Sequence, residues 1–429
     1  MTFIFRNIKA VLSTMTKNDW AFLFCLIFCA ALLASKYLLS LCTIALAVLA
    51  VFDLKKPNRL GFNPAWHHFM SRSRERWPVV AISLIFFTYL VFGFPSENQA
   101  QYWSLVRMKL SFLVWPIIFI LLPRFSKRQY LLLFYFLMLN ICMSAFFVLA
   151  AYLSDVYLFN RALGYGHSLP TPMNHIRYSL LITMSVLGGI AMIQKHFYWR
   201  WKWERFLIIL MTVGLFIFQH VLSVRTGLVL SYVGILILLL HYGFRSRYKT
   251  PIILLIACIM ILPVIAFQTI PAFQRKVGYT LYDLDKFRAG EGSGYADSER
   301  FRSWQAGLAI ASESPFLGTG FGDVKAEIID YYKTQYHSDQ YWKPHNQYIS
   351  VFAGGGLLGL FLFMFGLLFP ICYQRNAMDE LFLAFYITFL LSMLIEATLN
   401  SYIGSSIFLL FALVGLSQSS EDLTGTDRS

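Results

Sequence analysis

Apolar runs of about 20 residues, the length a helix needs to cross a hydrocarbon layer, recur along this chain from near residue 19 to residue 416. Water cannot satisfy backbone N–H and C=O groups inside a bilayer, so such runs are confined to helices that close their own hydrogen bonds. About 12 spans are read, near 19–35, 37–53, 77–95, 104–122, 130–155, 177–194, 206–223, 226–242, 251–270, 347–373, 381–397 and 400–416. The first two are short and abut, so a re-entrant pair or an interfacial helix also fits them. The composition agrees: 58% of residues are hydrophobic and only 14% charged, far from a soluble globular chain. The expectation is an all-α integral membrane protein.

A net charge of +14 would suggest nucleic acid in a soluble chain, but most basic residues here fall in short loops between apolar runs. They read as topology signals, and no nucleic acid is expected as a partner. Lys55, Lys56, Arg59, Arg72, Arg74 and Arg76 separate spans two and three; Arg124, Lys127 and Arg128 separate four and five. Lys195, Arg200, Lys202 and Arg205 follow span six, and Arg245, Arg247 and Lys249 follow span eight. These loops share one parity with Arg6, Lys9 and Lys17, which puts both termini in the cytoplasm. No small-residue cleavage site follows a short apolar core at the start, so no removed signal peptide is expected.

The chain divides into transmembrane helices over 1–270, a polar outer segment over 271–346, further transmembrane helices over 347–416 and a disordered cytoplasmic tail over 417–429. The outer segment falls between the ninth and tenth spans and reads as a folded, partly helical cap. Asp297-Ser298-Glu299 supplies an N-cap and an acidic first turn, and Phe301, Trp304 and Leu308 share a face. Asp283-Leu284-Asp285 reads as a solvated, charge-paired loop, with Lys286 and Arg288 beside it. Cys25, Cys29, Cys42, Cys142, Cys258 and Cys372 lie in or beside apolar runs without metal-ligand neighbours and read as buried structural thiols.

Lys343-Pro344-His345-Asn346-Gln347-Tyr348-Ile349-Ser350 leads from the cap into the tenth span. Pro344 lacks a backbone N–H and disfavours helix at Lys343, so the helix is expected to start at or just after His345 and to hold the imidazole at the water boundary. With this topology Arg177, Arg225, Arg300 and Arg302 converge on the same side. Guanidinium groups stay charged and offer paired donors, the chemistry that holds a pyrophosphate. His345 is suited to proton transfer at neutral pH, with His175 and His337 as competitors on the same side. Glu396, near the outer end of span eleven, would pair an arginine or assist the histidine. Arg107 and Lys109 read as residues that snorkel to the interface. There is no P-loop, no Rossmann glycine pattern and no HExxH, so no cofactor and no metal are expected.

Three elements in this order resemble the O-antigen ligase superfamily, the membrane enzymes that include lipopolysaccharide O-antigen ligases and related O-antigen polymerases. They are Ser223-Val224-Arg225-Thr226-Gly227; Ser298 to Gly307 leading into Ser314-Pro315-Phe316-Leu317-Gly318-Thr319-Gly320-Phe321-Gly322; and His345-Asn346 followed by Gly354-Gly355-Gly356. The resemblance implies a GT-C-like fold and an inverting, metal-independent membrane glycosyltransferase in the bacterial inner membrane, with its active site periplasmic. It implies a donor glycan linked to undecaprenyl pyrophosphate and an acceptor that is lipid A-core or a growing glycan, with membrane lipids around it. On that pattern His345 is the general base, Arg225 is catalytic, Arg177, Arg225, Arg300 and Arg302 bind pyrophosphate, and Glu396 and Asn346 are auxiliary. Val229 stands where the ligase pattern Arg-x-x-x-Leu has its leucine, so ligase and polymerase both stay open. A transporter with an outer anion site and an inactive structural subunit are the other classes. The near-absence of polar residues at mid-span argues against the first, and the Arg/His set against the second.

Overall fold

The computed structural model describes residues 14–53, 61–245, 249–289, 291, 294–373 and 379–418. Arg6, Lys9, Lys55, Lys56, Arg59, Arg247, part of the Gly290 to Gly294 stretch and the tail beyond 418 lie outside the described residues. Within them the chain is helical almost throughout, with one two-residue strand pair, Phe52–Asp53 against Gly61–Phe62.

Among the described residues, seven helices are long and apolar enough to cross a membrane: Lys17–Ala34, Gln99–Leu121, Lys127–Ser154, His175–Gln194, Glu204–Leu222, Arg225–Tyr242 and Gln347–Tyr373. The number is nine if two bent pairs count as one span each, Phe69–Glu75 with Trp77–Gly93 at 90° and Leu254–Thr269 with Pro271–Arg288 at 94°. Three further apolar helices, Lys36–Val51, Glu380–Ser392 and Tyr402–Leu416, are shorter than 18 residues, and a count of 12 needs each of them to cross. The chain is thus an all-α, multi-pass membrane protein.

Two helices organise the packing. His175–Gln194 lies against Lys127–Ser154, Glu204–Leu222, Arg225–Arg245 and Glu380–Ser392. Its apolar window is 83% buried, against 33–50% for the other six. Its hydroxyls explain part of this: Gln219 Nε2 donates to Ser179 O (3.2 Å) and Thr183 Oγ1 (3.0 Å), and Ser231 Oγ donates to Gln219 Oε1 (2.7 Å). The span interiors are therefore less uniformly apolar than their composition suggests, but these groups satisfy one another, as buried polar side chains in helix bundles do.

The second organising helix, Gln347–Tyr373, packs on Trp77–Ile82, Leu84–Gly93 and the cap helix Ala296–Glu313. It is broken at Gly356, where φ is 61° and ψ −166°. The break frees backbone groups, and the 315–320 loop takes them up. Leu357 N donates to Pro315 O (2.8 Å), Thr319 N to Ala353 O (3.0 Å) and Gly320 N to Gly354 O (3.1 Å). A Cβ on Gly318 (φ 74°) would lie 2.5 Å from backbone atoms of Gly354 and Gly355, and one on Gly356 2.3 Å from Phe316. Both glycine-rich motifs are thus the two sides of one backbone seam. The loop continues to Gly322, whose N–H bonds Ser96 Oγ, and to Asp323, which accepts from the N–H groups of Glu97 and Asn98.

The cap comprises Pro271–Arg288, Ala296–Glu313 and Val324–Tyr336. Asp283 is not in a solvated loop. It is fully buried on the first of these helices, and its carboxylate accepts from Asp297 N (2.7 Å), Ser298 N (3.2 Å) and Ser298 Oγ (2.6 Å), capping the second helix from outside. Lys109 does not snorkel: its side chain is fully buried. Cys258 and Cys372 are exposed on the outside of the helices, whereas Cys25, Cys29 and Cys42 are buried and Cys142 half-buried. Ser417 is also buried, its carbonyl accepting from Phe125 N (2.9 Å), so the start of the tail is packed.

Candidate active site

Asn346 starts the tenth apolar run. Its Oδ1 accepts from Tyr348 N (2.9 Å) and Ile349 N (3.1 Å), an Asx cap that begins the helix at Gln347 and leaves His345 just outside it. The His345 backbone is pinned at both ends: its N–H donates to Ser303 Oγ (3.3 Å), and its carbonyl accepts from Trp304 Nε1 (3.1 Å). Trp304 and Ser303 thus hold the histidine from the cap helix, and Asn346 caps the helix that follows it.

The His345 ring faces Glu396, with Nδ1 3.0 Å from Oε2. Glu396 is not at a helix end. Helix Glu380–Ser392 stops short of it, and the carboxylate sits in an irregular connection containing the short 3₁₀ turn Thr398–Asn400. Burial pushes the Glu396 carboxyl up, but the hydrogen bond from His345 and the positive fields of His345, Arg177 and Arg300 outweigh it and hold the group below its ordinary value. An ionised carboxylate only accepts, so Nδ1 carries a proton, and in the neutral ring it is Nε2 that presents the lone pair. Nε2 has no hydrogen-bond partner among the described residues.

The four arginines divide into two kinds. Arg225 follows Ser223, a non-glycine residue at φ 55°, which turns the chain sharply between two helices. Both its terminal nitrogens bond Asp297, Nη2 to Oδ1 at 2.8 Å, and Nη1 also reaches Thr280 Oγ1 (2.9 Å). Arg302 pairs with Glu299 (3.3 Å) and lies over the Tyr336 ring, inside the cap. Arg300 and Arg302 are two residues apart, about 200° around a helix, and so face opposite ways. Among the described residues the Arg300 guanidinium has only a long pairing with Asp297, 3.6 Å. Arg177, at the first turn of His175–Gln194, has a buried Nε without a partner, and its charge acts on Glu396.

The structure therefore gathers His345, Arg177 and Arg300 around Glu396, with Arg225 adjoining through Asp297. Arg302 faces away. His175 is close enough to feel Arg300 and Glu396, whereas His337 closes the Val324–Tyr336 helix in a left-handed conformation, φ 47°. Asp297 was legible only as a helix-start acid; its pairing with Arg225, 72 residues away, had no local signal. Among the described residues no three His, Cys, Asp or Glu side chains converge as metal ligands. At the opposite end of His175–Gln194, Lys195 pairs with Asp379 and Glu380, the start of the helix whose far end leads to Glu396.

Residues 206–364 match the family model described as O-antigen ligase. Over that stretch, a little over a third of the chain, the sequence is similar to the O-antigen ligase superfamily. The matched stretch holds the Arg225 turn, the cap, His345 and the glycine seam, while Arg177 and Glu396 lie outside it and join the site through the fold. A search among curated proteins gave no match. An O-antigen ligase or polymerase-like function, with lipid-linked glycan and an acceptor as the general partners, is what that similarity suggests.

Proposed function

We propose that this chain is a bacterial inner-membrane glycosyltransferase that moves a glycan from undecaprenyl pyrophosphate to a sugar hydroxyl of lipid A-core on the periplasmic face. The observation that carries the reading is the His345–Glu396 pair, its Nε2 free among the described residues, flanked by Arg177, a guanidinium whose buried Nε has no partner among them. The positive side of the reading is chemical complementarity: a base that can take one proton beside cations that can receive two phosphates.

In this reading Glu396 accepts the Nδ1–H of His345 and fixes the tautomer. Nε2 takes the proton of the acceptor hydroxyl as its oxygen forms a bond to the anomeric carbon. The anomeric C–O bond to phosphate breaks on the opposite face, so the centre inverts and undecaprenyl pyrophosphate departs with the bonding pair. Arg177 and Arg300 hold the growing negative charge, each well-placed donor contributing ~3 kcal/mol. Arg225 orders the Arg300 side by clamping Asp297, and it reaches phosphate only if it exchanges that partner. Arg302 and Asn346 support the scaffold. The basic loops lie with the Lys195 end of the bundle, which favours placing the site on the periplasmic side.

The test is transfer by the purified protein from undecaprenyl pyrophosphate-linked glycan to lipid A-core in EDTA, comparing wild type with His345→Ala and Arg177→Ala. Glycan on lipid A-core, lost in both variants, supports the ligase and its site. Lengthening of glycan on its own carrier makes the enzyme a polymerase with the same chemistry, and loss of activity in EDTA overturns the metal-independent mechanism.

A further inference from the structure

Lys109 is fully buried and makes no ion pair with a carboxylate among the described residues. Its Nζ donates to Leu399 O (2.6 Å) and Asn400 Oδ1 (3.0 Å) and lies 4.3 Å above the Tyr89 ring. Placing an ammonium group there is costly, and a residue of this kind is kept for what its contacts hold in place.

Those contacts meet at Asn400. Its Oδ1 also receives Tyr89 Oη (2.9 Å) and Gln347 Nε2 (3.1 Å), and its Nδ2 donates to Ser350 Oγ (3.1 Å). Gln347 completes the hub: its Oε1 accepts from Leu399 N (3.0 Å), and its backbone N–H donates to Met393 O (2.8 Å). The connection that carries Glu396 has no regular helix to fix it, and it is gripped at Met393, Leu399 and Asn400 by this one cluster. Gln347 stands two residues after His345, so both members of the pair hang from the same hub.

We propose that Lys109 is a positioning residue, which sets the Glu396 connection against His345 through Leu399 and Asn400. The inference rests on the reading of His345 and Glu396 as the reactive pair. The groups facing the pair are Arg177 and His175 from helix His175–Gln194 and Arg300 from the cap helix, with Lys276 from Pro271–Arg288 acting on His175 and itself in the field of Arg300. Release of the connection would take Glu396 away from His345, Arg177 and Arg300 together.

The experiment uses full-length protein in detergent and reads Glu396 directly, as mass-spectrometric labelling by dicyclohexylcarbodiimide, which requires the protonated carboxyl. Labelling is followed across the pH range around 4.5, the ordinary value for this group. Wild type should label only below that value, His345→Ala should extend labelling upward, and Lys109→Met should do the same. In the transfer assay Lys109→Met should lower kcat about 10²-fold, as a displacement of about 1 Å can. Donor KM should hold, and Lys109→Met with Glu396→Gln should be no slower than Glu396→Gln alone. If Lys109→Met does not yield monodisperse protein, Asn400→Ala removes the same grip. A wild-type labelling profile in a folded Lys109→Met or Asn400→Ala variant, or multiplicative losses in the double variant, overturns the proposal. Shifted labelling in a protein whose wild type transfers no glycan instead overturns the glycosyltransferase reading and leaves the positioning role standing.

Discussion

Glu396 Oε2 meets His345 Nδ1 at 3.0 Å across a sequence separation of 51 residues, one partner just before an apolar helix and the other just after one. Removing the carboxylate should leave donor binding intact and slow turnover. Glu396→Gln is expected to reduce kcat by about 10–10²-fold, below the 10²–10⁴-fold of full base removal, because the amide still occupies the space but no longer fixes the charge state. Steady-state kinetics with varied donor would check this.

The same carboxylate makes stability pH-dependent. Its folded pKa lies below the ordinary 4.5, so its contribution is present above 4.5 and is lost as the pH falls through the lower folded value. Melting curves from neutral to acid pH should show wild type losing stability on that descent. Glu396→Gln, which has no proton to take up there, should lose less.

Arg177 and Arg302 should separate in function. Arg177→Ala is expected to raise the donor KM or lower kcat/KM by at least about 10²-fold, the effect of losing one preorganised donor. Arg302→Ala should leave the donor KM near wild type and lower thermal stability instead, since it removes the contacts with Glu299 and Tyr336. Paired kinetic and melting measurements distinguish the two.

Asp297→Ala should cost about 1.5–3 kcal/mol, the range for a hydrogen bond to a charged group, with salt and partial exposure reducing it. Arg225→Lys should recover little of the Arg225→Ala loss, because an ammonium cannot bond both carboxylate oxygens in the paired geometry seen here. A double-variant melting cycle reads the coupling.

Gly318→Ala and Gly356→Ala should each destabilise by more than about 2 kcal/mol, through a positive φ and a direct backbone collision. Gly278→Ala, with nothing within 4 Å of the added methyl, should be neutral or stabilise by about 0.4–1 kcal/mol. Thermal unfolding in detergent tests all three.

The apolar runs, the cap and the helix start after His345 were legible because each depends on neighbours in sequence: about 20 apolar residues, an acidic first turn, a proline before a cap. The site was legible only in part. Residue type marked His345, Arg177 and Glu396, but not which groups are already occupied. Arg225 looked as free as Arg177 until the fold set Asp297 against it. Lys109 and Asp283 misled for the same reason, since charge at the end of an apolar run or in a polar segment implies solvent unless a distant partner is known. The glycine motifs had the opposite fault: a strong local pattern whose cause, the seam between the 315–320 loop and the broken helix, is non-local.

That seam bears on how the enzyme works. The cap is joined to the break in Gln347–Tyr373 by main-chain hydrogen bonds and to the 94–98 turn by Asp323. A lid must swing on a pliant joint, and here the loop that enters the broken helix after His345 is tied to it by main-chain hydrogen bonds on both sides of the break. If the proposed membrane-held substrates are the right ones, such a fixed jaw would suit them: they would arrive by diffusing sideways in the bilayer, and selectivity would rest on the shape of the approach and not on closure around the catch.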